Sequence, residues 1–228
     1  LDQMQNAITD KTAAILVEPI QGEGGINNAD IDYFKRLRNI ADKCGILLFV
    51  DEVQTGIGRT GKLFAHEWSK IKPDILAVAK GLGGGFPVGA CLANKKTTKT
   101  MAPGTHGSTF GGNPLASAAA NAVLDIVLDN DFLDGVQRKG AYLNNQLSSI
   151  AAKHKFLSEI RGQGLLVGIV CDESVINTDI VKKAEAMGLL TVPAGNNVIR
   201  LIPPLIITET EIDEGLSLFD QACDSFNC

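Results

Sequence analysis

Three short apolar runs dominate the first third of the chain, and each leads straight into an ionisable residue. They are Ala13–Val17 into Glu18, Ile46–Val50 into Asp51, and Ile75–Ala79 into Lys80. Continuous apolar runs of this length read as parallel strands buried on both faces, and ligands of open α/β sheets sit beyond the carboxyl ends of such strands. The pattern predicts that Glu18, Asp51 and Lys80 converge at one end of a mostly parallel sheet. Lys80 also opens the run Gly81-Leu82-Gly83-Gly84-Gly85. A stretch so costly in chain entropy is expected where the backbone is closely approached.

The segments between these runs fit an α/β alternation. Ile31, Phe34, Leu37, Ile40, Ala41 and Cys44 recur at helical spacing, with Asn28 or Asp30 as a starting cap and Gly45 as a stop. A short helical pattern runs through Trp68, and Val88–Ala93 is a further apolar run. Asn113-Pro114 then opens a long helix, a capping residue followed by proline at the first helical position; its alanines, Ala116 to Ala120, allow close packing. A second helix is predicted over Phe132–His154, with Val136, Leu143, Leu147 and Ile150 inward. Beyond it the elements shorten: strands at Leu165–Val170 and Val198–Ile202, a helix at Asp179–Met187, and a last helix opened by Thr208 with Glu211 as its capping-box partner. This change of character places a boundary near Asp129, with residues 1–128 forming the sheet domain and 129–228 a smaller α+β domain. Leu1 lies close to the first core strand, and the first half supplies few strands for a full sheet. The sequence therefore reads as the C-terminal part of something longer.

Composition narrows the function. The apolar share of 45% supports a real core, and the formal charge of −5 comes without any basic cluster, which argues against nucleic acid as a partner. An anionic cofactor is still compatible with local backbone amides. No apolar run is long enough to span a bilayer and the first residues are no signal peptide, so the expected compartment is the cytoplasm. Five cysteines, Cys44, Cys91, Cys171, Cys223 and Cys228, include no Cys-x-x-Cys pair, and His66, His106 and His154 lack paired spacing. They read as small core thiols in a reducing compartment, with no metal site.

Gly56-Ile57-Gly58-Arg59-Thr60-Gly61 matches the dinucleotide glycine pattern, and Gly56 through Lys62 nearly matches a phosphate loop. Leu63 stands where the loop needs a hydroxyl, however, and the acidic strand precedes the glycines instead of following them. Lys80 occupies the neighbourhood of the expected acidic ribose ligand. A nucleotide-binding reading is set aside on these grounds.

Two residues carry the chemistry. A lysine amine condenses with an aldehyde to an imine and, once released, is a nearby base; it needs a share of its amine neutral, which burial favours. A carboxylate such as Asp51 beside a pyridine nitrogen keeps that nitrogen protonated, so the ring draws electrons from a bound carbon. Arg200, flanked by Val198-Ile199 and Leu201-Ile202, needs a partner if buried. A carboxylate ligand, or the side chain of Glu23, would answer it with a bidentate pair. Glu18, Gln54, Ser108 and Thr109 are weaker signals that turn chemistry alone could explain.

Five motifs then occur in order: Glu18-Pro19-Ile20-Gln21-Gly22-Glu23-Gly24-Gly25, Asp51-Glu52-Val53-Gln54-Thr55-Gly56, Ala79-Lys80-Gly81-Leu82-Gly83-Gly84-Gly85, His106 through Pro114, and Ile199-Arg200-Leu201-Ile202-Pro203-Pro204. Together they resemble the class III pyridoxal-phosphate aminotransferases of fold type I, over nearly the whole chain. The resemblance implies an incomplete cofactor-binding large domain with a mostly parallel sheet, then a smaller C-terminal domain. It implies that Lys80 carries pyridoxal 5'-phosphate and shuttles a proton, that Asp51 pairs with the pyridine nitrogen, and that Gln54 lies near the ring's phenolic oxygen. Glu18 would support the site beside Asp51, while Ser108 and Thr109 would serve the cofactor phosphate, Thr109 that of the partner subunit in a homodimer. Arg200 would bind the α-carboxylate of glutamate or 2-oxoglutarate, and Glu23 would cover Arg200 when the other amino donor binds. The implied reaction is ping-pong transamination between N-acetylornithine, or an ornithine-like donor, and 2-oxoglutarate, in arginine biosynthesis. Ornithine, succinylornithine and 4-aminobutyrate are the alternative donors; a dimerising fragment without activity is the reading outside enzymology. The family's N-terminal half, with its phosphate cup, its ring-stacking aromatic and a second substrate arginine, has no counterpart in the sequence. The chain alone is accordingly expected to bind the cofactor weakly and turn over poorly.

Overall fold

The computed structural model describes residues 1–226. In chain order the elements are α1 (Asp2–Ala7), β1 (Ala14–Val17), β2 (Ile20–Gln21), β3 (Asn27–Asn28), α2 (Ile31–Cys44), β4 (Leu47–Asp51), β5 (Ile75–Val78) and β6 (Ala90–Ala93). They continue with α3 (Pro114–Val127), α4 (Asn130–Lys153), β7 (Leu157–Gln163), β8 (Leu166–Cys171), α5 (Asn177–Ala186), β9 (Val192–Ala194), β10 (Val198–Leu201) and α6 (Glu209–Asp224). The chain divides into two compact units. One comprises Leu1–Pro19, Ala29–Ile57 and Lys62–Asn130; the other comprises Ile20–Asn28, Gly58–Gly61 and the chain from Asp131 onward.

The first unit is built on a four-stranded sheet in the order β1-β4-β5-β6. β1, β4 and β5 are parallel and β6 returns antiparallel, the mostly parallel sheet that the apolar runs predict. One face is closed by α2, whose Phe34, Leu37 and Ala41 are buried at helical spacing together with Leu48 and Val50 of β4. Each such large side chain contributes about 1.5–3 kcal/mol by leaving water. Asp30 caps α2 through its side chain, which accepts from the Asp32 N–H, and Gly45 ends it in the left-handed region. Asn113 caps α3 with Pro114 in the first turn, as the sequence pattern requires. The alanine-rich α3 packs against the turn holding Lys80: a Cβ on Gly84 would stand 2.8 Å from Val123 Cγ2. That contact is the close approach expected of the glycine run.

Asp74 ties this unit together. Its carboxylate accepts from Arg38 Nη1 of α2 at 2.7 Å, from the Leu48 N–H at 2.9 Å and from Asn94 Nδ2 at 2.7 Å. Burial raises its pKa, but the Leu48 N–H and the Arg38 guanidinium outweigh that effect and hold it below the ordinary value. A carboxyl group with a depressed folded pKa stabilises fully above its unfolded pKa, and that stability is lost as pH falls through the folded value. Urea midpoints are therefore expected to drop as pH falls below about 4. Asp74→Asn should cost about 2 kcal/mol at pH 7 and much less at pH 3; equal losses at both pH values would remove Asp74 from this role.

The second unit carries an antiparallel sheet in the order β7-β8-β10-β9. Its core gathers Val136, Leu143, Leu147 and Ile150 of α4 with Val167, Ile169, Ile199, Ile212, Leu216 and Phe219. The four inward positions expected on α4 are all in it. Thr208 and Glu211 form the capping box of α6. Four strands have no counterpart in the sequence reading: the short pair β2 and β3, and β7 and β9. The thiols also differ from expectation. Cys171 and Cys223 are buried, and burial pushes both up to about 12, whereas Cys44 and Cys91 are exposed because they lie at the end of α2 and on the edge strand β6. Cys228 lies outside the described residues. Among the described residues no helix is long and apolar enough to cross a membrane.

Candidate active site

Six of the singled-out residues belong to the first unit. Val17 pairs with Val50, so Glu18 and Asp51 leave the neighbouring strands β1 and β4 at the same level. Asp51 pairs with Ala77 of β5, placing Lys80 three residues further along that strand's direction. The three thus stand at the carboxyl ends of three adjacent parallel strands. β5 itself ends at Val78, and Lys80 opens a short 3-10 turn over Lys80–Gly83 instead of finishing the strand. Its φ of 46° is in the left-handed region, a conformation that costs a non-glycine residue about 1–2 kcal/mol. Such strain persists where the surroundings over-determine it, and it clusters at functional positions. The lysine is exposed. Asp51 and Gln54 are partly buried, and Asp51 Oδ1 accepts from the Val53 N–H at 2.9 Å. Ser108 and Thr109 lie in an exposed irregular segment before the Asn113 cap.

The remaining two belong to the second unit and meet there. Arg200 sits on β10 between β8 and β9, with only 7% of its side chain exposed. Its Nη1 donates to Glu23 Oε1 at 2.7 Å, and the Glu23 side chain is 72% exposed. The pair joins an anchored cation to a carboxylate at the surface. The cation's need for a partner was legible in the sequence; here the side-chain carboxylate supplies it.

Other residues of consequence escaped the sequence reading. Glu52, next to Asp51 on the chain, is fully buried and accepts from Thr55 Oγ1 at 2.6 Å and from the Ala65 and His66 N–H groups, both at 2.8 Å. Its Oε1 also lies 3.0 Å from His66 Nδ1. Arg161, on the unread strand β7, donates from both Nε and Nη2 to the Gly25 carbonyl. The glycine run that imitates a nucleotide loop has a structural task instead. Arg59 Nη1 donates to the Leu165 and Pro203 carbonyls at 3.1 and 2.6 Å, and burial lowers its pKa to about 10.

A mostly parallel sheet with a lysine past one strand and a carboxylate on the next, followed by an antiparallel sheet bearing a buried arginine, is the architecture of fold type I aminotransferases. Solved structures share it. An N-acetylornithine aminotransferase from Stenotrophomonas maltophilia superposes with a TM-score of 0.90 at 38% identity, covering 99% of this chain and 60% of that one. An ornithine aminotransferase from Plasmodium yoelii gives 0.92 at 34% identity, covering 99% and 61%. The family model "Aminotransferase class-III" matches residues 1–223, and the chain belongs to that family, whose members use pyridoxal phosphate. Among curated relatives, the acetylornithine aminotransferase of Mesorhizobium japonicum is 54% identical over 218 residues, which is 95% of this chain and 54% of the relative. That of Bacillus subtilis is 50% identical over 210 residues, 92% of this chain and 54% of the relative. The chain spans about half the length of the curated relatives it matches.

Proposed function

We propose that this chain serves a pyridoxal-phosphate-dependent transamination in which N-acetylornithine donates its amino group to 2-oxoglutarate, in arginine biosynthesis in the cytoplasm. In this reading residues 1–128 belong to the cofactor-binding large domain and 129–228 form the small domain. The observation that carries it is the buried Arg200 covered by the exposed Glu23 carboxylate, set in a chain whose relatives bear the acetylornithine name. A dicarboxylate substrate needs a cation for its α-carboxylate; a donor reacting through its terminal amine needs that cation neutralised. One arginine with a displaceable glutamate meets both needs.

The donor set fits the cofactor. Lys80 offers an exposed amine, and Asp51 offers a carboxylate at the end of the central strand β4. When bound, pyridoxal phosphate supplies an electron sink that makes the substrate's carbon-bound proton removable. With the cofactor in place, Lys80 Nζ would be the group that accepts and returns that proton. Asp51 would pair with the pyridine nitrogen and keep it protonated, Glu18 would support Asp51, and Gln54 would lie near the phenolic oxygen. Ser108 and Thr109 serve the phosphate, Thr109 across a homodimer. Ornithine as donor is the second reading, favoured by the similarity to the Plasmodium yoelii structure.

The test is chemical labelling followed by a donor panel. The chain is incubated with pyridoxal phosphate, reduced with borohydride and digested; the label is expected on Lys80. A label on other lysines only would defeat the assignment. N-acetylornithine is expected to give the highest kcat/KM for glutamate formation from 2-oxoglutarate among itself, ornithine, succinylornithine and 4-aminobutyrate. A higher value with ornithine would transfer the function to the second reading.

A further inference from the structure

We propose that Arg161 and Asn196 are positioning residues that fix the Glu23 loop, so that Arg200 is uncovered by rotation of the Glu23 side chain alone. The inference rests on the reading of Glu23 and Arg200 given above and names what sets the balance between their closed and open arrangements.

The loop joins β2 to β3, which pair over Ile20↔Asn28 and Gln21↔Asn27. Three consecutive carbonyls in it are held by the second unit. The Glu23 carbonyl accepts from the Gly195 N–H at 2.9 Å. The Gly24 carbonyl accepts from Asn27 Nδ2 at 2.8 Å and from Asn196 Nδ2 at 3.1 Å. The Gly25 carbonyl accepts from Arg161 Nε at 2.9 Å and Nη2 at 2.6 Å. Gly25 has a φ of 105°, and a Cβ there would stand 2.5 Å from the Gly195 carbonyl oxygen, so the two backbones touch. Ile26 follows, wholly buried with Ile20, Leu166 and Val198.

Glu23 therefore sits on a pinned backbone while its carboxylate reaches solvent. Arg200 is pinned as well, by its strand and by burial. Between two fixed anchors the only cheap motion is that of the glutamate side chain, and the pinning keeps its effective concentration at the guanidinium high. A carboxylate arriving from solution competes with Glu23 for the same cation. Loosening the loop should lower the advantage of the resident carboxylate, so an incoming one binds more tightly. Ordinary structural damage would act in the opposite sense and weaken binding.

Glutarate, an unreactive dicarboxylate, is the probe. Its affinity for the 228-residue chain is read from the Arg200 Nε–H resonance, assigned by its loss in Arg200→Gln. Glu23→Gln is expected to tighten binding about tenfold and Arg161→Met about threefold. Asn196→Gly removes a donor but tolerates the φ of 57° found at that position, and is expected to tighten binding about twofold. If Glu23→Gln tightens glutarate while Arg161→Met and Asn196→Gly leave it unchanged or weaker, the positioning role is overturned and the reading of Glu23 and Arg200 stands. If neither the parent chain nor Glu23→Gln moves the Arg200 resonance, that reading fails and takes this inference with it. Should Arg161→Met lose its cooperative urea transition, Asn196→Gly decides by the same criteria.

Discussion

Replacing Lys80 by glycine is expected to abolish transamination and, in the same protein, to raise stability. The first effect follows from the role proposed for the amine: without it no group of this chain carries the cofactor covalently or moves the proton. Loss of a positioned proton-transfer group costs on the order of 10²–10⁴ in rate, and loss of the covalent anchor adds to it. The second effect follows from backbone geometry. Lys80 holds a φ of 46°, the side chain is exposed, and the turn it opens is anchored by the Leu82 N–H to the Ala79 carbonyl at 3.0 Å. Glycine takes that φ without the Cβ clash, and the relief exceeds its extra chain entropy, leaving a gain of about 1 kcal/mol. Lys80→Ala separates the two effects, since it removes the amine and keeps the Cβ: the same loss of activity with no gain in the urea midpoint. A glycine variant no more stable than the alanine variant would show that the turn carries no strain at this residue.

This coupling of strain to chemistry also marks where sequence reading stops. The apolar runs, the Asn113-Pro114 start, the Thr208–Glu211 box and the inward stripe of α4 were all legible, because each depends on residues near one another in the chain. The Arg200 problem was legible too, since a charged residue inside an apolar strand announces a need for a partner. β7 was not legible. Leu157-Ser158-Glu159-Ile160-Arg161-Gly162-Gln163 has no period-two pattern, and its register slips between Leu157 and Glu159. Leu157 and Ile160, three residues apart, both reach the core because of that slip, so the apolar positions fall out of period two. β9 hides behind Pro193, which is tolerated because β9 is an edge strand. With β7 unread, Arg161 was invisible as an anchor for Gly25, 136 residues earlier. The exposed Cys44 and Cys91 show the same limit: apolar neighbours in sequence do not tell which face of a helix end or an edge strand meets solvent.

Replacing Glu52 is expected to have a large structural effect in the first unit, because its carboxylate is buried. Both carboxylate oxygens are engaged, Oε2 by Thr55 Oγ1 and the Ala65 N–H, Oε1 by the His66 N–H and Nδ1. Two of these donors are backbone groups that open the 3-10 helix Ala65–Ser69, where no helical carbonyl is available to them. Glu52→Leu keeps the volume but leaves those donors in a water-free place, each costing about 1–3 kcal/mol, for a sum of about 3–5 kcal/mol. Against a typical domain stability of about 5–15 kcal/mol that brings the fold close to its limit. Glu52→Gln is the measurable variant. Its amide oxygen still accepts at one position, but its NH₂ faces a donor at the other, and about 2 kcal/mol should be lost. The urea midpoint should fall with the m-value unchanged, because the loss is local and not a change of denatured state. A companion Thr55→Ala should cost about 1 kcal/mol alone and less in the Glu52→Gln background, since both act on one oxygen. Strict additivity of the two, or a Glu52→Gln loss below about 0.5 kcal/mol, would mean that β4 does not depend on this carboxylate. The level at which Asp51 meets Glu18 would then have to be set by strand pairing alone.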